Sequence, residues 1–575
     1  MFRYYTRLYF PTLNKAAELF YISQIKTFIT GLLALAIIFV IHVSPLLADT
    51  AAAEVEQPGG AAAQAEISQE DKKPEIKFDI WEYRVAGNSL LERTTLERAL
   101  SPYLGPGKSS SVINDAADAL EALYKDNGYP TVFVDIPEQN VVAGVVRLQV
   151  NQGVVSRLRV TGADYFTLSS LKEKVPSLQT GQTLHMPSVQ AEIQKLHSYS
   201  PDLQAVPILK AGLAPGTMEI ELRVKDKLPL HGGLELNNHY SANTSKLRLE
   251  GSVSYDNLWQ KFHSFKLLGQ VSPEDTSEVR VLVANYIMPV NDDSNRLAFY
   301  AVKSDSNVSI VGGLAVIGKG NIYGTRYVVP LKNQSRLLHS TTLGFDYKDV
   351  EDLVYLEGGT SITTPIQYVV ASATYSATTL AEGATTRYLA GLHFGVLGPN
   401  SRDEFESKRY KANPDFLYLR GSINRTDYLP LDINLESVFK LQLSDSPLIS
   451  NEQFTAGGYL SVRGYYQSQA LGDDGVNAGL ELYSPKLFYN EGSSLQSRVL
   501  AFAEGAYVEI LEPLPGQIRQ QELYSAGIGL RVTNSKQLVV KLDWAYPLRE
   551  AGDAGSGTLV SKGDSRLVFS LAYSF

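Results

Sequence analysis

QFTAGGYLSVRGYY, residues Gln453 to Tyr466, is the stretch from which the second half of this chain is best read. It sets one arginine, Arg463, among Gly457, Gly458 and Gly464. The apparent strand before it, VFKLQLS, ends near Ser444, and the next, VNAGLELYS, begins near Val476. About 30 residues without alternation therefore separate two segments that do alternate. Connections that long are uncommon in compact folds and are usually functional. Glycines let a backbone turn sharply or run close against a wall. A cationic loop of this kind, between strands of a barrel, suggests a loop folded back into a pore near residues 445–475.

Outward from that loop, residues 229–575 repeat a period of two. In KLRLEGSVSY, Leu247, Leu249, Gly251, Val253 and Tyr255 share one face, and Lys246, Arg248, Glu250, Ser252 and Ser254 the other. In QLVVKLDWAY, Leu538, Val540, Leu542, Trp544 and Tyr546 oppose Lys541 and Asp543. The last ten residues, RLVFSLAYSF, put Leu567, Phe569, Leu571, Tyr573 and Phe575 together. A soluble sandwich also alternates. Here, however, aromatics sit near the strand ends and the opposite face is polar, which suits a lipid-facing exterior and a wet lumen. Only a closed barrel satisfies every strand's backbone groups in lipid. The 347 residues fit sixteen antiparallel strands, at about 22 residues per strand and connection, and the pattern alone leaves about 12 to 18 open. A barrel of about that size leaves an aqueous channel, which Lys246, Arg248 and Glu250 would line.

Upstream, residues 76–228 contain an internal repeat. Arg84-Val-Ala-Gly-Asn88 and Arg159-Val-Thr-Gly-Ala163 each close an apparent strand, with Gly87 and Gly162 75 residues apart. Helical patterns follow the first copy over Leu90–Leu104 and Val112–Asn127, then the strands TVFVDIP and VVRLQVNQG. The second copy predicts helices near 167–176 and 187–198 and the strand MEIELRVKD. Each module, 76–152 and 153–228, thus reads as a helix pair on a three-stranded sheet.

Residues 49–75 are rich in Ala, Glu and Gln around a Pro-Gly-Gly and read as a linker. Before them, Lys15 and Lys26 precede an apolar run from Phe28 to Leu47. That run is long enough for a membrane helix, or it is a signal peptide over 1–48 cut near Ala48. The absence of a later apolar run favours the signal peptide.

Composition excludes several classes. There is no cysteine, which removes disulfides and thiolate metal sites. A net charge of −9 argues against nucleic acid as partner. His185 with His197, and His231 with His239, lack metal-ligand spacing. No nucleophile elbow and no phosphate-binding loop occurs, so catalytic residues, metal and cofactor are expected to be none. A lumen arginine wants a partner. Glu504, in AFAEGAY (501–507), shares the phase of Phe502 and opposes Ala503, Gly505 and Tyr507. The alternative is an Arg463 solvated outside. A shielded pair would be worth ~3–5 kcal/mol when broken, an exposed one ~0–1 kcal/mol.

This order of parts resembles the two-partner secretion transporters that export filamentous haemagglutinins and haemolysins. The resemblance covers about residues 76–575. Val462-Arg463-Gly464-Tyr465 matches the family's loop motif, extended by Glu452-Gln453-Phe454, Gly457-Gly458 and Glu481-Leu482. It implies that Arg463 contacts the acid of a Phe-x-Asp-x-Gly strand motif. Here Phe502, Glu504 and Gly505 stand in that strand, with glutamate for aspartate and the glycine directly after the acid. It further implies a sixteen-stranded outer-membrane β-barrel behind two periplasmic α+β POTRA modules, and an unfolded secreted client as partner. Outer-membrane lipid would surround the barrel. Terminal Phe575 resembles the signal read by the barrel-assembly machinery, and residues 49–75 occupy the place of a pore-plugging helix. The rival readings are an outer-membrane assembly factor of the same superfamily, a passive porin and a receptor barrel.

Overall fold

The computed structural model describes residues 77–575, apart from 215, 243, 291–294, 307, 312–313, 333, 335, 356–360, 397–400, 488–494, 535–536 and 554–556. The expected signal peptide and linker or plug region lie outside the described residues. The chain divides into two compact units.

The larger unit takes Leu230–Tyr255 and Ser264–Phe575 and contains a closed barrel of sixteen strands. The first are β1 (Leu230–Asn237), β2 (Arg248–Leu258), β3 (His263–Val271) and β4 (Arg280–Pro289). Next come β5 (Arg296–Ser304), β6 (Lys319–Pro330), β7 (Leu337–Tyr355) and β8 (Ser361–Ala381). They are followed by β9 (Ala384–Val396), β10 (Leu417–Leu429), β11 (Ile433–Ser444) and β12 (Asp474–Tyr483). The last are β13 (Leu495–Glu509), β14 (Gln520–Asn534), β15 (Leu538–Pro547) and β16 (Arg566–Ser574). Each strand neighbours the next in sequence, and β16 returns to β1.

The period of two appears as two faces. Outward, Leu249 and Val253 on β2 and Leu567, Leu571 and Tyr573 on β16 are exposed, as a lipid-facing belt requires. The opposite phase of β13 buries Phe502 and Glu504.

The seam is short. β16 and β1 share five residue pairs, from Ser570↔Asn237 to Ser574↔Gly233, where β13 and β14 share fifteen. Phe575 N–H donates to Gly232 O at 3.0 Å, and Gly232 N–H to Phe575 O at 3.1 Å. A Cβ at Gly232 would stand 2.2 Å from the Phe575 ring, so a side chain there would displace that ring. At the other end Asn238 extends the pairing with its side chain. Its Nδ2 donates to Leu567 O at 2.7 Å, and its Oδ1 accepts from Phe569 N–H at 2.8 Å.

The second unit runs to Pro229 and includes Asp256–His263. Two modules follow one another in it. The first orders its strands Glu82–Ala86, Val145–Gln152, Val132–Asp135, the first pair parallel and the second antiparallel. Helices α1 (Arg93–Leu100) and α2 (Ser110–Asp126) pack on it through Leu96, Leu100, Leu120 and Tyr124. The second repeats this with Val154–Thr161, Thr217–Asp226 and Leu203–Ala211. Helices α3 (Leu168–Glu173) and α4 (Met186–Tyr199) contribute Leu171 and Leu196 to its core. The two repeat glycines have one physical cause. Gly87 (φ +81°) and Gly162 (φ +79°) each place a Cβ position 2.3 and 2.4 Å from the carbonyl oxygen of Val150 and Val224, on the middle strand of their sheets. α1 is shorter than the apolar pattern Leu90–Leu104 predicts. After a single tight turn at Ser101–Tyr103, Gly105–Ser109 leaves as a strand and pairs with Lys77–Ile80.

Candidate functional site

Because adjacent strands run in opposite directions, the β11–β12 connection starts at the end of the barrel opposite residue 230. It does not stay there. Residues 445–473 fold inward as a hairpin, in which Phe454–Ala456 pairs with Ala470–Gly472. Gly475 on β12 makes room for it: a Cβ there would lie 2.1 Å from the Phe454 ring. At the tip, Gly457, Gly458 and Gly464 have φ of +100°, +90° and +94°, a conformation that other residues adopt only with strain. Gly458 N–H donates to Val462 O at 3.0 Å and closes the tip.

The tip presents Arg463, which is 2% exposed. Its Nε donates to Glu504 Oε1 at 2.8 Å and its backbone N–H to Glu504 Oε2 at 2.7 Å. Nη2 also reaches Glu481 on β12, and Nη1 donates to Asp543 Oδ2 on β15 at 3.2 Å. Phe502 lies beneath the guanidinium, its ring centroid 3.6 Å away. Arg531 on β14 bonds both oxygens of Asp543 at 2.6 and 3.0 Å. Two guanidinium groups thus face three carboxylates, an arrangement whose members depend on one another once water is excluded. Val462 and Tyr465 are buried beside Ala506, Val508 and Leu523, and the Tyr465 hydroxyl lies 2.7 Å from Arg549 O.

The neck of the hairpin has its own acidic residues. Glu452, on the inward limb, is 2% exposed. It accepts from Lys348 on β7, from Tyr368 on β8 at 2.7 Å and from Tyr418 on β10 at 2.9 Å. Asp473, on the returning limb, is fully buried. Arg409 holds its two oxygens at 3.0 and 2.6 Å, and the N–H groups of Leu448 and Leu511 donate to it at 2.9 and 2.7 Å. Arg409 follows α5 (Arg402–Lys408), which a Ser401/Glu404 capping box starts and Phe405 packs against Phe416, Leu448 and Ile449. Gln442 on β11 joins the limbs, donating to Glu452 O at 3.0 Å and to Asp473 O at 3.1 Å. The loop is therefore held at entry, tip and return by three separate ionic clusters.

The structure brings Val462, Arg463, Gly464 and Tyr465 together with Phe502, Glu504 and Gly505. Glu481 and Asp543 were not assigned to Arg463 from sequence, although both share the non-lipid phase of their strands. Glu452 and Asp473 were not assigned a role either. Their signal was position, one at each foot of the long connection. Of the expected lumen residues, Lys246 is exposed ahead of β2, and Glu250 accepts from Gln270 at 2.8 Å. Arg248 departs from its expected water-facing place. It is 2% exposed, donating to the carbonyls of Ser245 and Leu247 at 2.6 and 2.8 Å and to Thr244 Oγ1 at 2.8 Å. Alternation gave its face but not its depth; it braces the β1–β2 loop.

Comparison with known proteins gives two family matches. A model described as POTRA domain, ShlB-type, matches residues 78–153. One described as haemolysin secretion/activation protein ShlB/FhaC/HecB matches residues 216–505. The heme/hemopexin transporter protein HuxB of Haemophilus influenzae (strain 86-028NP) is 20% identical over 495 residues, covering 83% of this chain and 85% of that one. The outer membrane transporter CdiB of Dickeya dadantii (strain 3937) is 22% identical over 434 residues, covering 69% and 71%. The solved structure of CdiB from Escherichia coli superposes with a TM-score of 0.62 at 17% identity, covering 92% and 93% of the two chains.

Proposed function

Because this chain belongs to the haemolysin secretion/activation protein family (ShlB/FhaC/HecB), whose barrels sit in the outer membrane, we propose that it exports one unfolded secreted partner protein by two-partner secretion. The observation that carries this reading is the hairpin 445–473, anchored at three points on the inner wall of a sixteen-stranded barrel. A wall that wide has room for a polypeptide path beside the hairpin.

The modules supply the uptake surface. Each three-stranded sheet has two outer strands, and the outer strand Leu203–Ala211 exposes Val206 and Leu209. An extended client adds a strand to such an edge through main-chain hydrogen bonds, with apolar side chains giving preference. Net outward movement then comes from folding of the client outside, which opposes its return. Arg463 and Glu504 act as a structural latch on the conduit rather than as reacting groups.

Deleting residues 76–228 tests the assignment of uptake to the modules. The truncated barrel is expected to insert and conduct ions while a co-expressed client stays in the periplasm. Unchanged export by the truncated barrel would refute the role given to the modules.

A further inference from the structure

Three consecutive residues after β1, Asn238, His239 and Tyr240, touch two things at once. Asn238 prolongs the β16–β1 seam by bonding Leu567 O and Phe569 N–H, as described above, and its own N–H donates to Phe569 O at 3.3 Å. The next two residues hold the inward hairpin. His239 stacks on Tyr459 with ring centroids 4.2 Å apart and planes 11° from parallel. Lys541 Nζ on β15 donates to the Tyr459 hydroxyl at 3.0 Å. Tyr240 meets Tyr466 edge-on at 5.5 Å, and its carbonyl accepts from Gln467 N–H at 3.1 Å. Arg566, the first residue of β16, lies over the Tyr466 ring at 3.6 Å and over Tyr240 at 5.5 Å. His239 and Tyr240 thus take one residue from each limb of the tip, Tyr459 before Arg463 and Tyr466 after it.

We propose that His239 and Tyr240 are positioning residues that make seating of the inward hairpin and closure of the barrel seam one cooperative unit. Consecutive Cα atoms are about 3.8 Å apart, so Asn238 cannot leave the seam without dragging its neighbours off the hairpin. Arg566 adds a second link, because it belongs to the seam strand and stacks on the hairpin. The seam is also the shortest pairing among the barrel strand pairs whose register is described, with five pairs plus the Asn238 and Phe575 extensions. Withdrawal of the hairpin therefore loosens the β1–β16 contact first, ahead of any other strand pair. The consequence for transport rests on the export reading above, whereas the coupling itself does not.

Hydrogen exchange on the full-length protein in lipid nanodiscs tests this, since the change is made in the hairpin and read at the seam. Tyr459→Ala with Tyr466→Ala is expected to speed exchange in peptides 230–237 and 566–575 by about tenfold, with peptides of β4 to β6 unchanged. Tyr459→Phe with Tyr466→Phe keeps both rings and is expected to restore seam exchange to within about twofold of the parent. Faster exchange confined to the hairpin, or equal effects from the two variants, would overturn the proposal. The reciprocal arm leaves the hairpin intact. The chain has no cysteine, so Leu236→Cys with Leu571→Cys, a directly paired couple, locks the seam cleanly. Oxidation is expected to slow exchange in the hairpin, because coupling between two sites acts in both directions. Hairpin exchange that ignores the lock would contradict the coupling even if the alanine variants fail to fold.

Discussion

Glu504 takes Arg463 with both carboxylate oxygens, Oε1 from the side-chain Nε at 2.8 Å and Oε2 from the backbone N–H of the same residue at 2.7 Å. One acid thereby fixes the position of the guanidinium and the path of the chain at the hairpin tip. An aspartate at this position would hold its carboxylate one methylene farther back.

Arg463→Ala removes the cation and leaves the Glu504 carboxylate buried without its guanidinium, while Arg531 stays on Asp543. Loss of one partner of a shielded pair costs about 3–5 kcal/mol. The expected outcome is a barrel that still inserts, unfolds at lower temperature in a gel heat-modifiability series, and exports poorly. Normal folding and export would remove the latch from the mechanism.

Glu504→Asp preserves the charge but shortens the arm. It should keep the side-chain contact and weaken the backbone one, costing about 1 kcal/mol, the net value of one hydrogen bond. A double-mutant cycle of Glu504→Asp with Arg463→Lys checks the coupling between the two residues.

Asp473→Asn at the neck leaves Arg409 facing a neutral amide in a buried site. Because α5 and Leu448 hang on the same group, the neck should open from outside before the tip does. Added protease on intact cells is expected to cut between residues 445 and 473 in this variant and not in the parent.

Acid should loosen the hairpin through His239, which lies between β1 and β2, outside either strand. Burial holds its pKa down at about 4, the Lys541 ammonium adds to this, and the Asp543 carboxylate opposes it. A released histidine takes its proton near 6.5. Seating is therefore at full strength above pH 6.5 and weakens as pH falls towards 4, by at most about 3 kcal/mol. Hairpin opening, read as the exchange rate divided by the intrinsic amide rate at each pH, should rise more steeply between pH 7.5 and 4.5 in the parent than in His239→Phe.

Much of this was legible because lipid enforces alternation. In RLVFSLAYSF the outward residues could be named from sequence, and the phase of AFAEGAY pointed Glu504 inward. Gly87 and Gly162 were visible as a repeat, but their cause was not, since it depends on the carbonyls of Val150 and Val224 some 60 residues away. Asp543 is 80 residues from Arg463 and meets it only once the barrel has closed. Leu104 continues the apolar period past the end of α1, whereas Gly105-Pro-Gly turns the chain into a strand. Arg248 shows the remaining limit of pattern: a strand's phase says which face a side chain takes, whereas neighbours decide whether water reaches it.

This chain moves a secreted protein across the outer membrane. The most direct measurement compares the amount of a co-expressed client at the cell surface with and without the full chain. Export by this protein predicts surface client in its presence and periplasmic client in its absence. Equal surface client in both cells would contradict it.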